Sequence, residues 1–156
     1  MVFAMVVLMV PVVLIVALYR FLGNETPPTI DPVPAYESAE RAKLFDVVRP
    51  DGLAKDWHIV SATYAAGVLR VGFTSPGDGA FQLVESNTAA DTLVPAELGP
   101  GSKRDGGFEV DGTAWDRWTS GHPGERAIVL ASPGRTIMIV GKADDDEFRT
   151  LARSLK

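Results

Sequence analysis

The hydrophobic and polar positions divide the chain into an apolar start and a patterned remainder. Residues 1–18 form one unbroken apolar run, and residues 1–22 contain a single charged side chain, that of Arg20. An apolar run of this length can cross the hydrocarbon core of a bilayer as a helix, whereas a helix packed on a soluble core would show a polar stripe. We therefore predict a transmembrane anchor over residues 1–22 that contacts membrane lipid.

The anchor is predicted to stay attached, because the bulky residues Leu18, Tyr19 and Arg20 offer no small-residue cleavage site. Basic residues favour the cytoplasmic side, and Arg20 follows the apolar run, which argues for a cytoplasmic domain. Long domains can cross regardless of such modest charge, so we expect a single-pass protein of the cell membrane with an extracytoplasmic domain. The abrupt apolar start at Met1 is consistent with a misassigned start codon and a missing basic tail.

A proline-rich spacer is predicted between the anchor and one folded domain. Residues 23–34 contain four prolines, a composition typical of an extended polyproline segment. The alternative is an irregular loop packed on the domain. Residues 35–156 are assigned to the domain, which opens with a predicted helix over residues 35–47. The apolar stripe of that helix consists of Ala35, Ala39, Ala42 and Phe45.

Alternating apolar positions and turn residues predict seven strands in the rest of the domain. Their ranges are 57–65, 68–74, 80–86, 108–110, 113–119, 126–131 and 136–140. Further helices are predicted at 89–98 and 144–155, and Asp144 and Glu147 match a capping box at the start of the second. Hairpin-length connections make neighbouring strands antiparallel. We predict an α+β fold, with one mostly antiparallel sheet of about seven strands packed against helices.

Composition and charge exclude several classes of function. The 156 residues carry a net charge of −5, which argues against a nucleic-acid partner. The absence of cysteine excludes a thiol nucleophile and a Cys-ligated zinc site, and His58 and His122 lack zinc-protease spacing. The acidic residues 144–147 lack the spaced ligands of a calcium loop. We predict no catalytic residue, no metal and no cofactor, and therefore a protein that is not an enzyme.

Two tryptophans are the remaining candidates for a functional role. Trp115 and Trp118 are three residues apart on one predicted strand, so their side chains should lie on opposite faces of the sheet. We predict that Trp115 enters the core. Trp118, together with the nearby His122, is the candidate binding surface.

Short motifs spread along nearly the whole chain are shared with a known family. They are Asp31 to Ala42, Gly52-Leu53 followed by Trp57, Val71 to Pro76, Gly112 with Trp115, Thr136 to Ala143, and Leu151 to Leu155. In these positions the chain resembles the actinobacterial membrane-anchored family catalogued as domain of unknown function 4245 (DUF4245). The resemblance implies a location and a fold more than an activity. Relatives usually have a basic stretch before the apolar run, which this sequence lacks.

The end of the chain also resembles a second architecture. A strand, a Gly-x-Ala step and an acidic helix follow one another over residues 136–155, as in the Mog1/PsbP-type α/β sandwich. This likeness implies a layered fold in which helices cover a sheet. It implies no activity, because the same fold can carry unrelated functions.

Three functional hypotheses remain open at this point. The first is an extracytoplasmic domain that binds another cell-envelope protein. The second is a small-molecule or lipid-binding envelope domain with an apolar cleft between sheet and helix. The third is a carboxylate-based hydrolase that uses Glu109, Asp111 and Asp116. A cleft with converging polar groups would favour the second or third hypothesis, and a flat exposed apolar patch would favour the first.

Overall fold

The computed structural model describes residues 29–156; the predicted anchor and the first half of the predicted spacer lie outside the described residues. The helices are α1 (Val33–Ala42), α2 (Ala90–Leu98) and α3 (Asp145–Ser154). The strands are β1 (His58–Ala65), β2 (Val68–Thr74), β3 (Ala80–Ser86), β4 (Lys103–Val110), β5 (Thr113–Thr119), β6 (Arg126–Ser132) and β7 (Arg135–Lys142). Between residues 29 and 156, no helix is long and apolar enough to cross a bilayer.

The seven strands form one sheet in the order β1-β2-β3-β7-β6-β5-β4, and each neighbouring pair is antiparallel. The predicted α+β fold with a seven-stranded antiparallel sheet is thereby confirmed. The chain builds β1 to β3 as a meander, crosses through α2 to the far edge, and returns through β4 to β7. Strand β7 consequently lies between β3 and β6, which explains why its sequence is apolar on both faces.

One face of the sheet packs against α1 and α3, and we call it the two-helix face. The ring of Phe148 from α3 meets that of Phe81 edge to face, with ring centroids 5.1 Å apart. Buried strand residues on this face are Leu69, Val71, Phe73, Phe81, Leu83, Phe108, Val110, Trp115, Ile128, Ile137 and Ile139. Helices α1 and α3 complete this core with Ala35, Tyr36, Ala39, Phe148, Leu151 and Ala152.

The opposite face packs against α2 alone, and we call it the one-helix face. Its strand residues are of medium size and aliphatic: Val68, Val84, Ala127, Val129, Met138 and Val140. Helix α2 contributes Leu93, Val94 and Leu98 to the same cluster. The sheet is therefore buried on both sides of its centre, by a larger aromatic core and by a smaller aliphatic one.

Two elements differ from their predicted ranges by five residues at one end, whereas the others differ by two residues or fewer at either end. Helix α1 runs from Val33 to Ala42 and not over residues 35–47, because Pro34 fits a first helical turn and Lys43 adopts the left-handed conformation that ends it (φ 52°). Strand β4 begins at Lys103 and not at residue 108. Most of its side chains are exposed, so the apolar alternation that reveals a strand is missing there.

The predicted capping box at the start of α3 is wrong. Asp144 is the N-cap residue, but its side chain forms no capping hydrogen bond. The carboxylate of Glu147 instead accepts a hydrogen bond from the Ser75 hydroxyl, which lies in the turn between β2 and β3. The acidic residue that the pattern assigned to local capping therefore joins α3 to the turn between β2 and β3.

Candidate functional site

The segment between α1 and β1 crosses one end of the two-helix face, and we call residues 45–51 the strap. The backbone N–H of Val48 donates to Oε2 of Glu85 over 2.9 Å, and Nη1 of Arg135 donates to the carbonyl oxygen of Asp46 over 3.1 Å. Arg49 exchanges two backbone hydrogen bonds with Lys156, of 3.0 and 3.1 Å. The strap is thus tied to β3, to β7 and to the end of the chain.

Two cavities lie beside the strap. The turn groove, with a volume of about 600 Å³, runs between residues 43–47 and the β6–β7 turn at residues 132–135. The tryptophan pocket, of about 220 Å³, lies between the sheet and the end of α3. Its apolar walls are Val48, Val110, Trp115, Leu130, Ile137, Ala152 and Leu155. Arg135 is part of the lining of both cavities.

Glu85 is a buried acid behind the strap. It follows Phe81 and Leu83 on the two-helix face of β3, is fully buried, and lies between Leu69 and Ile137 on the neighbouring strands. Its Oε2 accepts the Val48 N–H, whereas Oε1 has no hydrogen-bond partner within residues 29–156. Burial raises the pKa of Glu85 to about 7, against the opposing effects of the Val48 hydrogen bond and the Arg135 charge.

Tyr36 of α1 is the second buried polar group in this region. Its side chain is 3% exposed, and its hydroxyl has no hydrogen-bond partner in the described part of the chain. Burial, and next the negative charge of Glu85, raise the pKa of this phenol, and Arg49 opposes the rise. The Arg49 guanidinium lies 4.7 Å from the ring centroid of Tyr36. The strap therefore covers the buried acid Glu85, and its Arg49 places a positive charge over the ring of the buried phenol Tyr36.

Comparison with known proteins identifies the family of this chain. The model of the family described as protein of unknown function (DUF4245) matches residues 1–155. The chain belongs to the DUF4245 family. None of the curated proteins matches it. The family description names no activity, so the candidate function of this DUF4245 protein has to be argued from its own residues.

The DUF4245 fold separates the two tryptophans as their spacing predicts. Trp115 pairs with Phe108 on the two-helix face and is 4% exposed, so its predicted place in the core is confirmed. Trp118 lies on the one-helix face between Arg104 and Ala127, half-buried, and its indole N–H has no acceptor among the described residues.

His122 is exposed in the β5–β6 loop. The residues of this loop line a separate groove of about 390 Å³, and Trp118 is not part of its lining. Trp118 and His122 are thus neighbours along the chain without sharing one cavity. Their role as a binding surface stays a prediction.

The three carboxylates of the hydrolase hypothesis are divided between two places. Asp111 lies at the edge of the tryptophan pocket and accepts two hydrogen bonds from Arg153, of 2.7 and 2.8 Å. Asp116 and Glu109 lie on the one-helix face, where Asp116 forms an ion pair with Arg104. Among residues 29–156, no group of three or more His, Asp and Glu side chains is arranged to hold a metal ion.

Glu85, Tyr36 and Arg135 were not among the site residues predicted from the sequence. For Glu85 a signal existed, since it continues the alternation of Phe81 and Leu83 and so falls on a buried face. For Arg135 there was none, because an arginine directly after a Ser-Pro-Gly turn is an ordinary surface residue. Its significance arises only when the strap, which is distant in sequence, packs beside it.

Proposed function

We propose that this DUF4245 protein is a binding protein, not an enzyme, and that it holds a small ligand in the turn groove and the tryptophan pocket. The observation that carries the proposal is the position of Arg135, which lines both cavities and so sets a cation beside apolar walls. Small-molecule sites typically combine apolar walls with a few well-placed polar groups. Of the three hypotheses, this geometry supports small-molecule or lipid binding best.

The proposal includes a place for the domain. Residues 1–22 anchor the chain in the cell membrane as a single span, and the domain lies outside the cytoplasm. The support is the unbroken apolar run of residues 1–18 and the prolines that follow it. Protease added to intact spheroplasts should remove the domain. Protection that persists until the membrane is broken would contradict this orientation.

Ligand binding can be tested without knowing the ligand. The full chain, held in lipid nanodiscs because of its apolar first residues, is titrated with a set of small fragments of different charge while amide NMR signals are recorded. We expect shifts at the Val48 amide, which bonds to Glu85, and at the Trp115 indole. The variant Ala152→Leu, which adds volume at the pocket wall, should lose the Trp115 shifts. A fragment set that leaves both signals unmoved would contradict the proposed function.

A protein partner is the second candidate function, and it uses a different surface. Trp118 is half-buried, so part of its side chain is accessible, and His122 is exposed in the next loop. A partly exposed aromatic side chain can anchor a partner through apolar contact. A photocrosslinking residue at position 122 should capture an envelope protein in native membranes, and Trp118→Ala should reduce the yield. The same crosslinker at Thr150, exposed on α3, is the matched control.

A further inference from the structure

We infer that the ligand is a small anionic amphiphile whose hydrocarbon part fills the tryptophan pocket and whose acidic head group pairs with the Arg135 guanidinium. This inference rests on the proposed function and adds the chemical class of the ligand. Three observations support it: the ion pairs of the arginines, the apolar walls of the pocket, and the partners of the acidic residues near the cavities.

Arg135 differs from the other arginines of the described chain. Each of them except Arg41 forms an ion pair with a carboxylate. Arg41 is exposed on α1, where water can solvate its charge. Arg135 is half-buried and, within residues 29–156, has no carboxylate oxygen within ion-pair distance; it donates a hydrogen bond to the carbonyl oxygen of Asp46, and its charge acts on Glu85 only from a longer distance. A partly desolvated guanidinium that no carboxylate contacts directly is a favourable place for a carboxylate or phosphate group.

The tryptophan pocket suits a short hydrocarbon group. Its apolar walls include Trp115, Leu130 and Ile137, and its volume is about 220 Å³. An apolar cavity of roughly 150 Å³ can already hold a benzene molecule. At the rim, Arg153 is neutralised by its two hydrogen bonds to Asp111. Arg135 is therefore the rim cation that is left for the head group of a ligand.

The acids around the cavities do not favour a cationic ligand. Glu40, which lines the turn groove, forms an ion pair with Arg49. Glu85 is fully buried and is hydrogen-bonded to the strap, so it presents no surface to a ligand in either cavity. Asp46 also lines the groove, is exposed and forms no ion pair within residues 29–156, but Lys43 and Arg135 set two positive charges against this one negative charge. The local charge thus complements an anion at the point where the apolar pocket begins.

The test uses ligands that share one chain and differ in the head group. Octanoate, octanol and octyltrimethylammonium are titrated by calorimetry into the full chain in nanodiscs, with empty nanodiscs as the blank for partitioning. We expect octanoate to bind most tightly and to give nuclear Overhauser contacts to the Trp115 indole. In Arg135→Gln its affinity should fall by about ten- to a hundred-fold, the effect of losing a charged hydrogen bond. Arg135→Lys, which keeps the charge, should retain most of the affinity.

The controls separate this inference from the proposed function. Arg41→Gln removes the other unpaired arginine and should leave octanoate binding unchanged, and urea unfolding of each variant checks that it is folded. Equal binding of octanol, with no loss in Arg135→Gln, would overturn the anionic ligand and leave the proposed cavity function standing. Failure of all three probes to contact Trp115, together with no shift in the fragment titration, would overturn both.

Discussion

The two faces of the sheet are buried by different kinds of side chain. The one-helix face is covered by α2 and consists of valines, alanine and methionine around Val94 and Leu98. The two-helix face contains the aromatic core, but it also contains Glu85 and Tyr36, two buried groups with unpartnered oxygens in the described chain. The turn groove and the tryptophan pocket both adjoin this second face.

The buried acid Glu85 sets the two-helix face apart from the other face. A buried polar atom without a partner costs free energy, so a sequence selected only for stability would place an apolar residue at position 85. The one-helix face follows that rule in its core, where the buried side chains between the strands and α2 are aliphatic, although the indole N–H of Trp118 also lacks a partner in the described chain. The two-helix face departs from it near the strap, and such departures are typical of functional or strained sites.

The largest effect expected from this comparison concerns the two tryptophans of β5, which lie on opposite faces of the sheet. Trp115→Ala removes a side chain that is 4% exposed in the larger core, and we expect a loss of about 3–5 kcal/mol in the free energy of unfolding. Trp118→Ala, on the other face, removes a half-buried side chain and should cost much less. Urea unfolding of both variants measures the difference. Equal large losses would show that the one-helix face depends on its aromatic residue as strongly as the two-helix face does.

The second prediction concerns Glu85 and the pH dependence of stability. Burial raises its pKa from 4.5 to about 7, so the folded state holds a proton that the unfolded state has released between these values. Stability should therefore fall as the pH rises from 4.5 to 7, by about 3 kcal/mol in all, and then level off. The titratable or charged groups that act on Glu85 are Tyr36 and Arg135, and the raised pKa of Tyr36 keeps its phenol neutral in this range.

Glu85→Gln provides the control for that prediction. The amide oxygen can still accept the Val48 N–H, but the side chain no longer titrates. The variant should lack the decline between pH 4.5 and 7 and should be more stable than the natural chain at pH 8. If both proteins show the same pH profile, Glu85 does not carry the proton, and the decline belongs to other carboxylates.

The fold was largely predictable because its elements have strong local patterns. Strands β2, β3 and β5 have the predicted bounds, since apolar alternation and turn residues define them without reference to the rest of the chain. Strand β4 was placed too late, because an exposed edge strand carries no such alternation. The capping box failed for a related reason: Glu147 found a partner, Ser75, that is distant in sequence.

The candidate site was much less predictable, because long-range packing creates it. Val48 meets Glu85, and Asp46 meets Arg135 across an even longer stretch of chain. No local pattern relates these residues. The alternation of β3 shows that Glu85 points to a buried face, but it does not show that a strap covers it or that cavities open beside it. The sequence therefore predicts the face of the sheet on which Glu85 lies, but it does not predict the candidate site on that face.

The smallest expected effect comes from a comparison of one ion-paired aspartate from each face. Asp145, in the first turn of α3, pairs with Arg117 and Arg126 at 3.2 and 2.8 Å, and both arginines also stack on the aromatic core through Phe108 and Phe148. Asp145→Asn should cost about 1–2 kcal/mol, because two pairs and a favourable helix-dipole interaction weaken together.

Asp116 pairs with Arg104 alone on the one-helix face, where the two side chains are 40% and 62% exposed. Asp116→Asn should change the free energy of unfolding by about 0.5 kcal/mol or less, since water solvates both partners. Thermal unfolding at low and high salt measures both variants, and the Asp145 effect should persist in salt because its pairs are partly buried. Equal costs at low salt that both vanish at high salt would mean that the two faces hold their charges in the same way. The difference between the two faces would then depend on Glu85 and Arg135 alone.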